Sequence, residues 1–152
     1  INEFKPDVMV AIGGGGFIPA RMLRSVVKVP ILTISLELYD DTTNSHDGKV
    51  RRKQWLEPGA VKGKRVLIVD EVDDSRTTLQ YAVREIQNSE VPAEIAVAVV
   101  HNKLKTKTGK LPSSELPRCP DHNGSGEERH RQHRFFWWHL KQHLEAKNFC
   151  LQ

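Results

Sequence analysis

The stretch VLIVDEVDDSRTT, Val66 to Thr78, decides how this chain is read. Val66 to Val69 are aliphatic without interruption, the mark of a strand buried on both faces of a parallel sheet. Asp70 and Glu71 should then emerge at the strand's carboxyl end, the edge at which open α/β sheets bind ligands. Carboxylates there can accept hydrogen bonds from vicinal hydroxyls. Ser75, Thr77 and Thr78 follow, and behind them Leu79, Ala82, Val83 and Ile86 fall at helical spacing. The hydroxyls therefore sit at a helix N-terminus, where backbone amides and the helix dipole favour an anion such as phosphate. One span thus offers acceptors for a sugar's hydroxyls and donors for its phosphate. Helix capping alone needs a single such residue, not an ordered set of them.

Working outward, Asp7 to Leu23 (DVMVAIGGGGFIPARML) reads as a strand at Val8 to Ile12, a loop at Gly13 to Gly16, and a helix over Phe17 to Val27 opened near Pro19. Consecutive glycines permit unusual backbone angles and close approach of a ligand. A dinucleotide fingerprint needs glycine where Ile18 stands, and a Walker loop fails at Gly59 to Lys64 because Arg65 replaces the required Ser or Thr. Downstream, Ala96 to Val100 forms a further apolar strand. Lys103 lies just past its end, with Lys105 and Lys107 close behind. Strand and helix alternate, so the fold expected is a three-layer α/β domain with a mostly parallel sheet.

Together these residues resemble the type I phosphoribosyltransferases, and IGGGGFIPAR is similar to the fungal hypoxanthine-guanine and xanthine enzymes of that family. The resemblance spans residues 4–112, roughly. Asp70, Glu71, Asp74, Ser75 and Thr78 meet the family's pattern of an acidic pair, an Asp, a hydroxyl and a Thr, with Arg76 where glycine is common. The resemblance implies a Rossmann-like core and a pentosyltransferase. In such an enzyme the 5-phosphoribosyl group of phosphoribosyl pyrophosphate (PRPP) passes to a 6-oxopurine (hypoxanthine, guanine or xanthine) in purine salvage, and pyrophosphate leaves. By the same resemblance Asp70 and Glu71 hold the ribose hydroxyls or the shell of a Mg2+ ion. Asp74 bonds the purine N7 as general acid or base. Ser75, Arg76, Thr77 and Thr78 bind the 5′-phosphate, Arg76 adding charge. Gly13, Gly14, Gly15 and Gly16 hold pyrophosphate, with a non-proline cis peptide expected near Gly13 and Gly14. Lys103 donates to the 6-oxo group, a choice that rejects the donor amino group of adenine. A homodimer is expected.

Leu36 to Pro58 is a polar stretch carrying Asp40, Asp41, Asn44, Ser45 and His46, too long for an ordinary connection. Tyr39 to Asp47 is expected to be the family's mobile lid, and Val50 to Trp55 the strand returning from it. The ends depart from the family. Ile1 is not an initiator methionine, so the N-terminus is expected to be truncated, and Ser113 to Arg134 contains Leu116 as its only aliphatic residue. The core is therefore placed at residues 1–112, and residues 113–152 are expected to be a polar, His-rich tail. A short helix over Phe135 to Leu151 would follow, with the hood subdomain missing or replaced. Cys119, His122, His130 and His133 match no strong zinc spacing.

Composition narrows the classes. A net charge of +4 without a basic stripe argues against nucleic-acid binding. No apolar run is long enough to span a membrane. Two cysteines late in the chain make a disulfide framework unexpected and a cytoplasmic setting the default. The competing expectations are a PRPP-binding regulatory module with impaired catalysis, or a truncated inactive product.

Overall fold

The computed structural model describes residues 4–39 and 49–111. In chain order these form β1 (Val8–Ile12), α1 (Phe17–Val27), β2 (Ile31–Tyr39), β3 (Lys49–Gln54), β4 (Arg65–Asp73), α2 (Thr77–Glu90) and β5 (Glu94–Asn102). The strands make one sheet of order β3-β2-β1-β4-β5. β1 runs parallel to β2 and β4, β4 runs parallel to β5, and β3 is antiparallel to β2. The expected mostly parallel α/β architecture is thus present.

Topology explains both the layers and the place of the site. The unit β1–α1–β2 steps toward one edge of the sheet and β4–α2–β5 toward the other, so right-handed crossovers put the two helices on opposite faces. α2 buries Leu79, Ala82, Val83 and Ile86 in a cluster with Val8, Val10, Ile12, Val66 and Ile68. Met9, Ala11, Leu67 and Val69 alternate to the second face, and all four are buried. α1 packs against β1 and β4 and buries Pro19, Ala20 and Leu23. Strands covered on both sides need apolar residues at every position, which is why β1 and the first half of β4 read as uninterrupted aliphatic runs. The chain departs in opposite directions from β1 and β4, so the topological switch point lies between their carboxyl ends.

Two strand boundaries differ from the sequence reading. β2 continues through Leu36 to Tyr39, read above as part of a polar loop. Cross-strand pairing holds this segment: Leu36 lies opposite Arg52 and Leu38 opposite Val50, and Lys53 reaches Glu37 at 3.0 Å. β4 likewise continues past Val69 to Asp73, because β5 partners it as far as Asn102. Asp70 and Glu71 therefore lie inside the strand's last residues. β3 is the returning strand expected after the lid. The lid's central residues 40–47 and the tail 113–152, with its helix and the question of a hood, lie outside the described residues. Among the described residues no helix is long and apolar enough to cross a membrane.

Candidate active site

The loop after β1 is shaped by what its glycines lack. The amide of Gly13 donates to the Ile34 carbonyl at 2.6 Å and that of Gly16 to the Ile12 carbonyl at 2.9 Å. A Cβ on Gly16 would stand 2.5 Å from the carbonyl oxygens of both Ile12 and Val69, so only glycine lets the chain turn between β1 and β4. A Cβ on Gly15 would overlap the carboxylate of Glu71. The first acidic residue pair and the glycine loop thus share one crevice at the switch point. The cis peptide expected near Gly13 and Gly14 is not found; among the described residues every peptide bond is trans, and the turn is made by Gly14 with φ +78°.

The loop after β4 is shaped by its side chains. Asp70 is buried, and its Oδ1 accepts a hydrogen bond from the Glu71 amide at 2.9 Å. Burial, with the Glu71 carboxyl beside it, pushes Asp70 up to about 8. Such a pair gains from any ligand that brings donors or positive charge. Mg2+ is held typically by one or two carboxylates together with substrate phosphates and water. Asp70 and Glu71 supply that number, and among the described residues no group of three or more His, Cys, Asp or Glu side chains is placed to hold a metal by itself. The donor set fits an ion carried in mainly by its substrate.

Asp73 and Asp74 are neighbours with opposite surroundings. Asp74 is half-exposed and lies between Lys105, which pairs with its Oδ1, and Lys103, whose Nζ is 3.0 Å from its Oδ2. Hydrogen bonds from Lys105 and then Lys103 hold the Asp74 carboxyl down at about 2. Asp73 is 1% exposed and its Oδ2 accepts from Arg76 Nε at 3.0 Å and Nη2 at 2.7 Å. Ser75 Oγ donates to Thr77 Oγ1 at 3.0 Å. α2 begins at Thr77 with Arg76 as the capping residue, in left-handed conformation at φ 69°, and its side chain does not cap the helix. The Thr77 amide donates to Ser75 Oγ at 3.4 Å, so the helix start meets the hydroxyl cluster.

The structure thus brings Gly13 to Gly16 against Glu71, sets Asp70 beside it, places Ser75, Thr77 and Thr78 at the helix start, and joins Lys103 to Asp74. Arg76 is placed otherwise than expected: its guanidinium turns onto Asp73. Sequence reasoning gave no role to Asp73, and left Lys105 and Lys107 as rivals of Lys103.

A family profile described as "Phosphoribosyl transferase domain" matches residues 1–126. The hypoxanthine-guanine phosphoribosyltransferase of Schizosaccharomyces pombe is 39% identical over 145 residues, an alignment covering 78% of this chain and 70% of the relative. Xanthine phosphoribosyltransferase 1 of Saccharomyces cerevisiae is 41% identical over 144 residues, covering 76% of this chain and 68% of the relative. Among solved structures, a hypothetical protein from Neisseria gonorrhoeae with bound ppGpp superposes with a TM-score of 0.64 at 45% identity, over 72% of this chain and 63% of that one. An α/β domain with its crevice between β1 and β4 is the class that fold and crevice define. The chain belongs to the phosphoribosyltransferase family, and these two fungal relatives act on purines by name.

Proposed function

We propose that this chain is a purine phosphoribosyltransferase, moving the 5-phosphoribosyl group of PRPP to a ring nitrogen of a 6-oxopurine and releasing pyrophosphate. The observation that carries the reading is the meeting of three loops at one sheet edge. The glycine loop lies against Glu71, and Lys103, after β5, pairs with Asp74, after β4. In this reading Gly13 to Gly16 bind pyrophosphate through backbone amides. Asp70 and Glu71 accept hydrogen bonds from the ribose hydroxyls. Ser75, Thr77, Thr78 and the first amides of α2 bind the 5′-phosphate, where the helix dipole adds attraction. Asp74, ionised at neutral pH, accepts a hydrogen bond at the purine N7 and holds or returns the proton there. Lys103 exchanges Asp74 for the 6-oxo group, while Lys105 stays to keep the carboxylate charged. When bound, Mg2+ neutralises charge on the departing pyrophosphate, and Asp70 and Glu71 are the residues that would hold its shell. Positioning and charge supply most of the rate. ppGpp, the ligand of the Neisseria relative, unites guanine with paired phosphates, the two chemistries this crevice is read to bind. A homodimer in the cytoplasm completes the reading, on kinship alone.

Calorimetric titration of PRPP with Mg2+, followed by nucleotide formation with hypoxanthine, guanine and xanthine, tests the proposal. Binding with turnover is expected, and the preferred purine names the substrate. Binding without turnover would replace the enzyme by a phosphosugar-binding module, and no binding would reject both.

A further inference from the structure

Asp73, Arg76 and Lys107 have no part in the reaction as described, yet they form a largely buried charged cluster in the domain. Asp73 is the last residue of β4, its side chain 2% exposed, with Arg76 and Lys107 beside it at 15% and 13%. Arg76 carries a left-handed backbone at φ 69°, an angle that costs any residue with a Cβ. Its guanidinium turns back and grips Asp73 Oδ2 with two nitrogens. Lys107 Nζ lies 3.6 Å from the same Oδ2 and donates to the carbonyls of Asp73, at 2.5 Å, and Asp74, at 2.9 Å. The segment beyond Lys107 closes on the loop as well: the amides of Thr108 and Gly109 donate to the Ser75 carbonyl at 3.1 and 3.0 Å. A Cβ on Gly109 would stand 2.5 Å from the Arg76 carbonyl oxygen, so this approach is as close as backbones allow.

We infer that Asp73, Arg76 and Lys107 form a positioning strut beneath the 5′-phosphate loop: they fix the backbone of residues 75–78 in the shape that binds a sugar phosphate. The inference rests on the proposed function for the identity of the ligand and on geometry for the strut itself. A buried carboxylate must be paired, and here its pairing is spent on the two residues that shape the loop. Two cations against one carboxylate also leave surplus positive charge under the loop, the sign a phosphate dianion needs. Arg76 keeps a backbone suited to glycine because its side chain is anchored, and the anchor supplies the stiffness that glycine would give up.

Arg76→Gly separates this from a merely structural role. Glycine relieves the backbone, so a structural residue would give an unchanged or higher Tm with unchanged kinetics. The strut predicts a KM for PRPP raised about tenfold, with purine KM and kcat held within about twofold. Lys107→Met should act in the same direction, and Asp73→Asn combined with Arg76→Gly should be no worse than the poorer single variant. Hydrogen exchange of the amides of Gln80, Thr108 and Gly109, which donate to the carbonyls of Arg76 and Ser75, reads the strut without any turnover, and should quicken about tenfold in Arg76→Gly and in Lys107→Met. If the wild-type chain forms no nucleotide, the proposed function falls and exchange alone decides the strut. Unchanged exchange in both variants overturns the inference, as does an active Arg76→Gly enzyme with an unaltered KM for PRPP.

Discussion

The loops that follow β1 and β4 face the same crevice and reach fixed shapes by opposite means. After β1 the shape comes from subtraction: Gly16 lies where the Ile12 and Val69 carbonyls leave no room for a Cβ, and Gly15 yields its space to Glu71. After β4 it comes from charge: Asp73 is clamped by Arg76, and Asp74 by Lys105 and Lys103. A loop of the first kind should fail when atoms are added, and one of the second kind when charges are removed with the shape kept. This difference suits the ligands proposed for the two loops. Backbone amides can surround a pyrophosphate from many directions, whereas a proton at one purine nitrogen calls for a single oriented carboxylate.

The largest expected effect breaks the second loop without touching its shape. Asp74→Asn keeps the side chain's size and removes its charge. Removing a positioned acid or base costs about 10²- to 10⁴-fold in rate, so kcat should fall by that order while PRPP affinity changes little. Steady-state kinetics alongside calorimetric titration of PRPP check it, and equal losses in both would reject the proton-holding role. The free enzyme's Asp74 does not itself set an acid limb near neutrality. Its pair with Lys105 and Lys103 is complete above the ordinary carboxylate value of 3.8 and is lost as pH falls through about 2.

The first loop should break by addition. Gly16→Ala sets a methyl group against two carbonyl oxygens at the ends of central strands, neither able to swing aside. Overpacking of this kind costs about 2 kcal/mol, visible as a lower midpoint of urea unfolding. Gly15→Ala meets first the end of a flexible Glu71, so its unfolding midpoint should move little while the carboxylate is displaced from the crevice. Equal destabilisation by the two substitutions would show that loop flexibility, not crowding by strand ends, is what the glycines supply.

How much of this was legible in the sequence follows from the same contrast. Uninterrupted apolar runs and helical spacing located β1, α1, α2, the heart of β4 and β5, because residues covered on both faces leave no choice of residue type. The glycine loop and the acidic motif were visible for a related reason, since each demands rare residue types in sequence order. The end of β2 was not. Leu36 to Tyr39 is held by its partner β3, and pairing with a strand across a long connection leaves no local pattern. The anchoring of Arg76 was hidden as well. Its separation from Asp73 was plain, but whether the guanidinium turned toward phosphate or back to the strand depended on Asp73 being buried, a fact of β4's extension beside β5. The trans peptides of the glycine loop, against the cis bond expected, show that Gly14's positive φ suffices for the turn.

A smaller effect bears on the third loop, after β5, and sharpens the contrast because its lysines divide the labour. Lys103, Lys105 and Lys107 alternate, and they divide between two neighbouring aspartates. Lys107 is tied to the backbone carbonyls of Asp73 and Asp74, while Lys103 and Lys105 are half-exposed and share one carboxylate. Exposed ion pairs contribute little to stability, so losing either should leave the fold intact. What changes is recognition. An ammonium favours the exocyclic 6-oxo oxygen and opposes an amino group, and one such contact is worth about tenfold in discrimination. Lys103→Ala should therefore lower the preference for hypoxanthine over adenine by about that factor, read as the ratio of the two kcat/KM values, whereas Lys105→Ala should leave the ratio alone and loosen only the hold on Asp74. The reverse outcome would move the recognition role from Lys103 to Lys105. It would also mean that the backbone bond from the Lys103 amide to the Asp73 carbonyl, at 3.1 Å, makes Lys103 a continuation of the sheet's pairing and not a residue released to meet the purine.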